Sequence, residues 1–313
     1  MQFYRPNDRD ADGNPILYNS AAEAGLIKNN WDITRFVKKG SYYSYKSASA
    51  NMVLSPDGRT IISTDISYAG NSRFLLYKML PFKASTFAPA VVPGIQNYFM
   101  SDWGNLPTSF CATAGQTVYV KPDGQTFYCS DDGRNSYSRI NQWNNVDAWR
   151  YPVTNTPDAY IDLSAQISGG YGIWGIQFKP DGSKMFVIGT DGGWTNTVFQ
   201  YSLSTPWLVS TATYDSLSVP MYYTCDKNMF ITPDGLHMII ARNDGTLFNF
   251  TMANAWDLTG FTGNPYTTFN TGATSQWGEG DYTFAFNEAC NKLYIWCSSG
   301  TGSSLLEYWE YVG

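Results

Sequence analysis

The sequence of 313 residues is short of charge. Asp, Glu, Lys and Arg make up only 15% of it, against roughly a quarter in typical soluble chains. What charge there is leans acidic: 20 basic and 26 acidic residues leave a formal net charge of −6. A nucleic-acid partner would want a basic stripe, and none is present. The single histidine, His237, supplies neither a multi-histidine zinc site nor a nucleophile–His–acid arrangement with a recognisable motif. No Gly-rich phosphate loop leads from a strand into a helix. No apolar run reaches the roughly 18 residues of a spanning helix, so membrane insertion is not expected. The opening residues, Met1 to Asp8, lack the apolar stretch of a signal peptide, which leads us to expect synthesis without the usual export route. The cysteines (111, 129, 225, 290 and 297) are five, an odd number, and share no metal-type spacing. They read as reduced, buried small residues, with a Cys290–Cys297 bridge across one hairpin as the lesser alternative.

What is abundant is aromatic side chains, at 17%, together with 28 glycines and 15 prolines. That mixture suits many short strands joined by turns. One phrase returns along the chain: Ser55-Pro56-Asp57-Gly58, Lys121-Pro122-Asp123-Gly124, Lys179-Pro180-Asp181-Gly182 and Thr232-Pro233-Asp234-Gly235. A worn fifth copy lies at Phe284-Ala285-Phe286-Asn287-Glu288. Each copy sits between two apolar runs and so marks a β-hairpin. Proline presets φ, Asp bonds its own backbone and Gly takes the positive φ. The prolines are 66, 58 and 53 residues apart, and Asn287, taken as the fifth counterpart, follows at 54. Periods of that size with about four strands each indicate propeller blades. Strand A enters the turn, strand B leaves it, and strand C is an alternating run such as Thr197–Leu203 or Ser304–Tyr311. The acidic turns between B and C (Asp131-Asp132-Gly133, Asp191-Gly192-Gly193, Asn243-Asp244-Gly245) read as hairpin chemistry. The first period is longer without a hidden repeat, which we read as a long loop from Pro93 to Gln116.

A second phrase follows strand C: Thr205-Pro206-Trp207-Leu208-Val209-Ser210-Thr211, Asn254-Ala255-Trp256-Asp257-Leu258-Thr259 and Val146-Asp147-Ala148-Trp149, with Phe82 in place of Trp in an earlier copy. The chain stops where this phrase should begin again, and the missing copy stands near the other end, at Trp31-Asp32-Ile33-Thr34. The expected fold is therefore an all-β, five-bladed propeller over residues 31–313. Its last blade takes an outer strand from near residues 34–45, so each terminus contributes a strand and no seam stays open. Residues 1–30 fall outside the repeats and read as an N-terminal arm, with a short helix over Ser20–Leu26 capped by Ser20.

Three groups of residues are candidates for chemistry. In the arm, Asp8, Asp10 and Asp12 followed by Gly13 open like an EF-hand calcium loop, but Asn19 stands where the bidentate Glu belongs and no amphipathic helices flank it. Ca²⁺ there competes with the plainer reading of a solvated acidic turn. The loops expected between strand D and the next strand A carry aromatics: Tyr42, Tyr43, Tyr45, Tyr98, Phe99, Trp103, Tyr171, Trp174, Tyr222, Tyr223, Trp277 and Tyr282. Of these Tyr43, Trp103, Trp174, Tyr223 and Trp277 are the ligand- or partner-binding candidates, since rigid rings stack on sugars and side chains at low entropic cost. The competing reading is that they fill wedges between blades. The tryptophans at 31, 149, 207 and 256 recur once per blade and are assigned to packing. Asp102, Asp226, Glu279 and Asp281 lie in the same loops. Nothing in the spacing makes two of them converge as a glycosidase requires.

The segments Phe178 to Gly189 (Phe-Lys-Pro-Asp-Gly-Ser-Lys-Met-Phe-Val-Ile-Gly) and Val198 to Tyr214 resemble the Pro-Asp-Gly β-propeller repeat. That repeat is related to the YVTN type and occurs in bacterial surface proteins and marine tailed-phage virion proteins. The resemblance spans about residues 31–313 and is sharpest around 175–219. It implies a propeller used for binding or assembly and carries no catalytic residues over. Without a signal peptide the phage branch fits better. The resemblance thus leads us to expect a non-enzymatic virion structural or host-attachment protein, made in the host cytoplasm. It would be a homo-oligomer in an assembly, docking on other virion proteins through residues 1–30. The alternatives are a glycan-binding module facing a cell surface and, behind it, a glycoside hydrolase.

Overall fold

In the computed structural model, the residues described are 31–44, 49–56, 60–65, 73–78, 99–105, 117–130, 138–144, 148–149, 156–168, 172–191, 195–221, 227–242, 244–271, 282–298 and 304–312. The architecture is an all-β propeller arrangement. Its strands run in chain order as follows. β1 (Phe36–Ser44) stands alone at the start. Then come β2 (Ser49–Leu54), β3 (Thr60–Asp65), β4 (Arg73–Lys78) and β5 (Phe99–Asn105), followed by β6 (Val118–Val120), β7 (Phe127–Ser130), β8 (Arg139–Trp143) and β9 (Ala159–Asp162). Next are β10 (Ile173–Phe178), β11 (Lys184–Thr190), β12 (Asn196–Leu203) and β13 (Ala212–Pro220), then β14 (Lys227–Ile231), β15 (His237–Ala241), β16 (Thr246–Thr251) and β17 (Thr267–Asn270). β18 (Tyr282–Phe286), β19 (Lys292–Ser298) and β20 (Ser304–Tyr311) finish the chain.

Each group of four is an antiparallel meander, and the three last strands take β1 as their fourth, in the order β1-β20-β19-β18. Phe36 lies opposite Tyr311 and Ser44 opposite Ser304. The strand expected near residues 34–45 is therefore β1, and it closes the C-terminal sheet. A part-buried ion pair pins it: the half-exposed Lys38 donates through Nζ to the buried Glu307, whose other carboxylate oxygen accepts from the Trp309 indole at 3.1 Å.

Hydrogen bonds at the Pro-Asp-Gly turns explain why the phrase repeats. The amides of Gly124, Gly182 and Gly235 each donate at 2.7 Å to the carbonyl of the residue before proline. The Asp side chains accept from the amide two residues on, at Gln125, Ser183 and Leu236. The glycines sit at φ of 77°, 73° and 76°. Onto each is laid the tryptophan of the second phrase. Trp149, Trp207 and Trp256 themselves adopt φ of 58°, 68° and 57°, and their amides donate to the glycine carbonyls at 3.0–3.1 Å. Their rings press so closely that a Cβ on Gly182 would fall 2.4 Å from the Trp207 ring. The recurring tryptophan is a packing residue, as its recurrence suggested.

The fifth turn has another register than the apolar pattern implied. Asn287 N donates to Lys292 O and Cys290 N to Asn287 O, the pattern made by Thr232 and Gly235 in the preceding repeat. Asn287 thus corresponds to the residue before proline, and the proline's place belongs to Glu288, not Asn287. Cys290, at φ 50°, stands in for glycine. Trp31 packs there from the other end of the chain, its indole donating to Cys290 O at 2.9 Å. Cys129, Cys290 and Cys297 are buried free thiols, so no bridge joins 290 to 297. Cys290 lies in the turn and Cys297 toward the far end of β19. Cys111 and Cys225 lie outside the described residues.

Apolar clusters fill the wedges between successive sheets. Trp31, Ile33 and Phe36 pack with Ile239, Leu247 and Phe286; Met52 and Ile61 of the first sheet pack with Tyr294 and Trp296 of the last. Polar clasps repeat as well. Gln142 and Gln200, equivalent positions in β8 and β12, accept from Val209 N and Leu258 N in the segment that leads to the outer strand of the following repeat. One expectation fails at the first sheet. The stretch 93–116, read as loop, contains β5, because most of the extra residues of that repeat come before the outer strand, between Lys78 and Phe99.

Candidate functional site

The first strands of the five sheets, β2, β6, β10, β14 and β18, touch one another in succession, and β18 returns to β2. Between them and the Pro-Asp-Gly turns lies a cavity of about 140 Å³. Its walls are mostly apolar or aromatic, with Met52, Tyr119, Ile176, Phe178, Phe230 and Phe286 among them, and Gln177 and Asn228 are neutral polar groups in the same lining. Toward the starts of the strands, Asn228 (φ 47°) is spent on structure. Its side chain donates to Phe284 O at 2.7 Å and accepts from Met229 N at 2.7 Å, tying β14 to β18.

At the turn end, equivalent positions of the five repeats also line the cavity: Pro56, Pro122, Pro180, Pro233 and Glu288. Four prolines and one carboxylate thus surround the mouth. Glu288 is the only acidic residue among the lining groups, and no cation or hydrogen-bond donor among the described residues pairs with its carboxylate. Burial pushes that carboxyl above the usual carboxylate range. The neighbouring Tyr119 phenol is pushed up too, first by burial and then by the negative charge of Glu288. The cations near the rim are engaged elsewhere: Lys121 with Asp123 at 2.7 Å and Lys179 with Asp181 at 2.9 Å.

The aromatic candidates separate. Tyr43 lies within β1 opposite Leu305, and Trp103 within β5 opposite Leu75, so both belong to outer strands and not to connecting loops. Trp174 is half-buried at a bulge of β10, packs against the cluster between the third and fourth sheets, and donates its indole N–H to Thr190 Oγ1 at 3.1 Å. Tyr223 and Trp277 lie outside the described residues, as do Asp8, Asp10 and Asp12, the Ser20–Leu26 segment, Asp226, Glu279 and Asp281. Asp102 is in β5. Among the described residues no three His, Cys, Asp or Glu side chains gather as a metal would need, and no helix is long and apolar enough to cross a membrane. Two of the acidic B–C aspartates are engaged locally: Asp191 accepts from Thr195 N and Asp244 from Thr246 N, while Asp131, Asp132 and Gly133 lie outside the described residues. His237 packs its ring 5.6 Å from that of Trp31 and contacts Asn249 through Nδ1.

In the sequence Glu288 is visible only as the end of a degenerate repeat. The available signal was the loss of proline in one copy, but the one-residue misregister placed Asn287 there and hid the substitution.

No family model matches this chain, and no curated protein does either. Among solved structures, a Bacteroides uniformis protein provisionally described as a 6-phosphogluconolactonase is similar at 11% identity, with a TM-score of 0.41, over 84% of this chain and 72% of that one. Similarity at that level carries nothing about activity.

Proposed function

We propose that this chain is a non-catalytic, five-bladed propeller serving as a binding or assembly module of a phage virion, with a ligand site in its central cavity. The observation that carries the non-catalytic part is the use of its carboxylates. The aspartates that recur once per repeat, Asp123, Asp181 and Asp234, are consumed by their own turns. The cavity retains one acid, Glu288, where glycoside hydrolysis needs two facing each other across a bond. An apolar cavity with a single oriented charge suits recognition. The virion assignment rests on the likeness of the repeat to those of phage particles, and the arm of residues 1–30 is its docking element.

The test is the solution mass of the full chain and of a chain lacking residues 1–30, by light scattering, alongside incorporation into particles. A defined oligomer or particle association lost on truncation supports the assembly role. A monomer in both forms that joins no particle refutes it. Hydrolysis of a bacterial polysaccharide, abolished in Glu288→Gln, would refute the non-catalytic reading.

A further inference from the structure

We propose that the cavity mouth binds a small organic cation, a primary ammonium on a short aromatic stem, with Glu288 as its counter-ion. This deepens the reading of the cavity as a ligand site and rests on it. Packing does not account for the residue. Four of the five equivalent positions are proline, which presets the turn and leaves no charge to desolvate. The fifth copy holds a carboxylate against apolar walls, an arrangement that costs stability unless an opposite charge arrives. The protein supplies none from the described residues. Lys121 and Lys179 at the rim pair with Asp123 and Asp181, Lys184 with Asp257, and Lys38 with Glu307.

The rest of the cavity matches the same chemistry. Aromatic rings of Tyr119, Phe178, Phe230 and Phe286 are in its wall, and ring faces attract ammonium groups, more strongly where water is excluded. A volume of about 140 Å³ is close to that of an engineered apolar cavity in another protein, about 150 Å³, which takes up benzene. One ring with a one-carbon ammonium arm therefore fits with the arm at the mouth. A carboxylate ligand would face Glu288 with like charge. A neutral ligand would bring Glu288 no counter-charge.

The experiment is titration calorimetry of the full chain with benzylammonium, its neutral isostere benzyl alcohol, benzoate and a short lysine-containing peptide. Saturable binding of one benzylammonium per chain is expected, with benzyl alcohol and the Glu288→Gln variant each weaker by about tenfold or more, since a hydrogen bond to a charged group is lost. Glu288→Pro rebuilds the proline seen in the other four repeats. It should keep the wild-type circular dichroism spectrum and lose the preference for the cation, so the test survives if Gln folds poorly. Equal binding of benzyl alcohol and benzylammonium would overturn the cation while leaving the cavity a ligand site. Tighter binding of the peptide would overturn the free amine in favour of a partner's lysine. Binding of none of the four would overturn both the cation and the ligand site.

Discussion

Replacing Trp31 with alanine should unfasten the two ends of the chain. The side chain is 7% exposed and packs edge-on against Phe36 and Phe286, with ring centres at 6.1 and 6.0 Å. Truncating a buried tryptophan costs about 3–5 kcal/mol. Its indole also donates to Cys290 O at 2.9 Å, across 259 positions of sequence, and losing that bond adds about 1 kcal/mol. The expected loss is therefore about 4–6 kcal/mol, a large part of the 5–15 kcal/mol typical of folded chains. The equivalent Trp207 is half-buried, and Trp207→Ala should cost about half as much. Guanidinium denaturation followed by far-ultraviolet circular dichroism measures both. Trp31→Phe keeps most of the apolar contact and should fall between wild type and alanine. If Trp31→Ala lies within about 1 kcal/mol of wild type with an unchanged slope, the contact between Trp31 and the last turn does not hold the chain closed, and the reasoning fails.

Other perturbations test other joints. Gly182→Ala places a methyl at φ 73° and 2.4 Å from the Trp207 ring; about 2 kcal/mol or more should be lost, part of it left-handed backbone strain, with a shift of tryptophan emission. Lys38→Met leaves the 2% exposed Glu307 with the Trp309 indole as its partner among the described residues; the half-exposed lysine limits the cost to about 1–3 kcal/mol, and a double-mutant cycle with Glu307→Gln should recover most of it. Glu288→Gln should raise the melting temperature at neutral pH. The folded-state pKa of this carboxyl lies above its unfolded value, so the charged form costs nothing below the unfolded pKa of about 4.3. The cost is complete above the raised value, and the gain from Gln should grow across that window as pH rises. A gain that is flat with pH would mean the carboxylate is fully solvated. Asp257 behaves oppositely. Hydrogen bonding from Thr259, with a smaller contribution from Lys184, holds it at about 2. Its stabilisation is present above ordinary carboxyl values and lost as pH falls toward 2, and Asp257→Asn should flatten acid melts over that range.

The repeat was legible in the sequence because its turn chemistry is local. Proline, aspartate and glycine act within four residues, so Pro122-Asp123-Gly124 declares a hairpin without knowledge of the rest. The closing strand was legible for a related reason: Trp31-Asp32-Ile33 matches Trp256-Asp257-Leu258, and a phrase missing at one end stood at the other. Register in the last turn was not legible. There Asn287 takes over amide contacts made elsewhere by threonine and aspartate, accepting from Asn291 N and Lys292 N, and side chains of different type can fill one backbone role. The same ambiguity displaced Trp103 and Tyr43, whose ring chemistry is equally at home on an outer strand or a loop. What the order of residues determined by itself was therefore whatever depends on a few neighbouring dihedrals: the hairpins, their period and the split last sheet. Only the tertiary structure decided that Glu288 joins four prolines around one cavity, because that ring is made of residues up to 232 positions apart, brought together by the packing of strands whose sequences say nothing of one another.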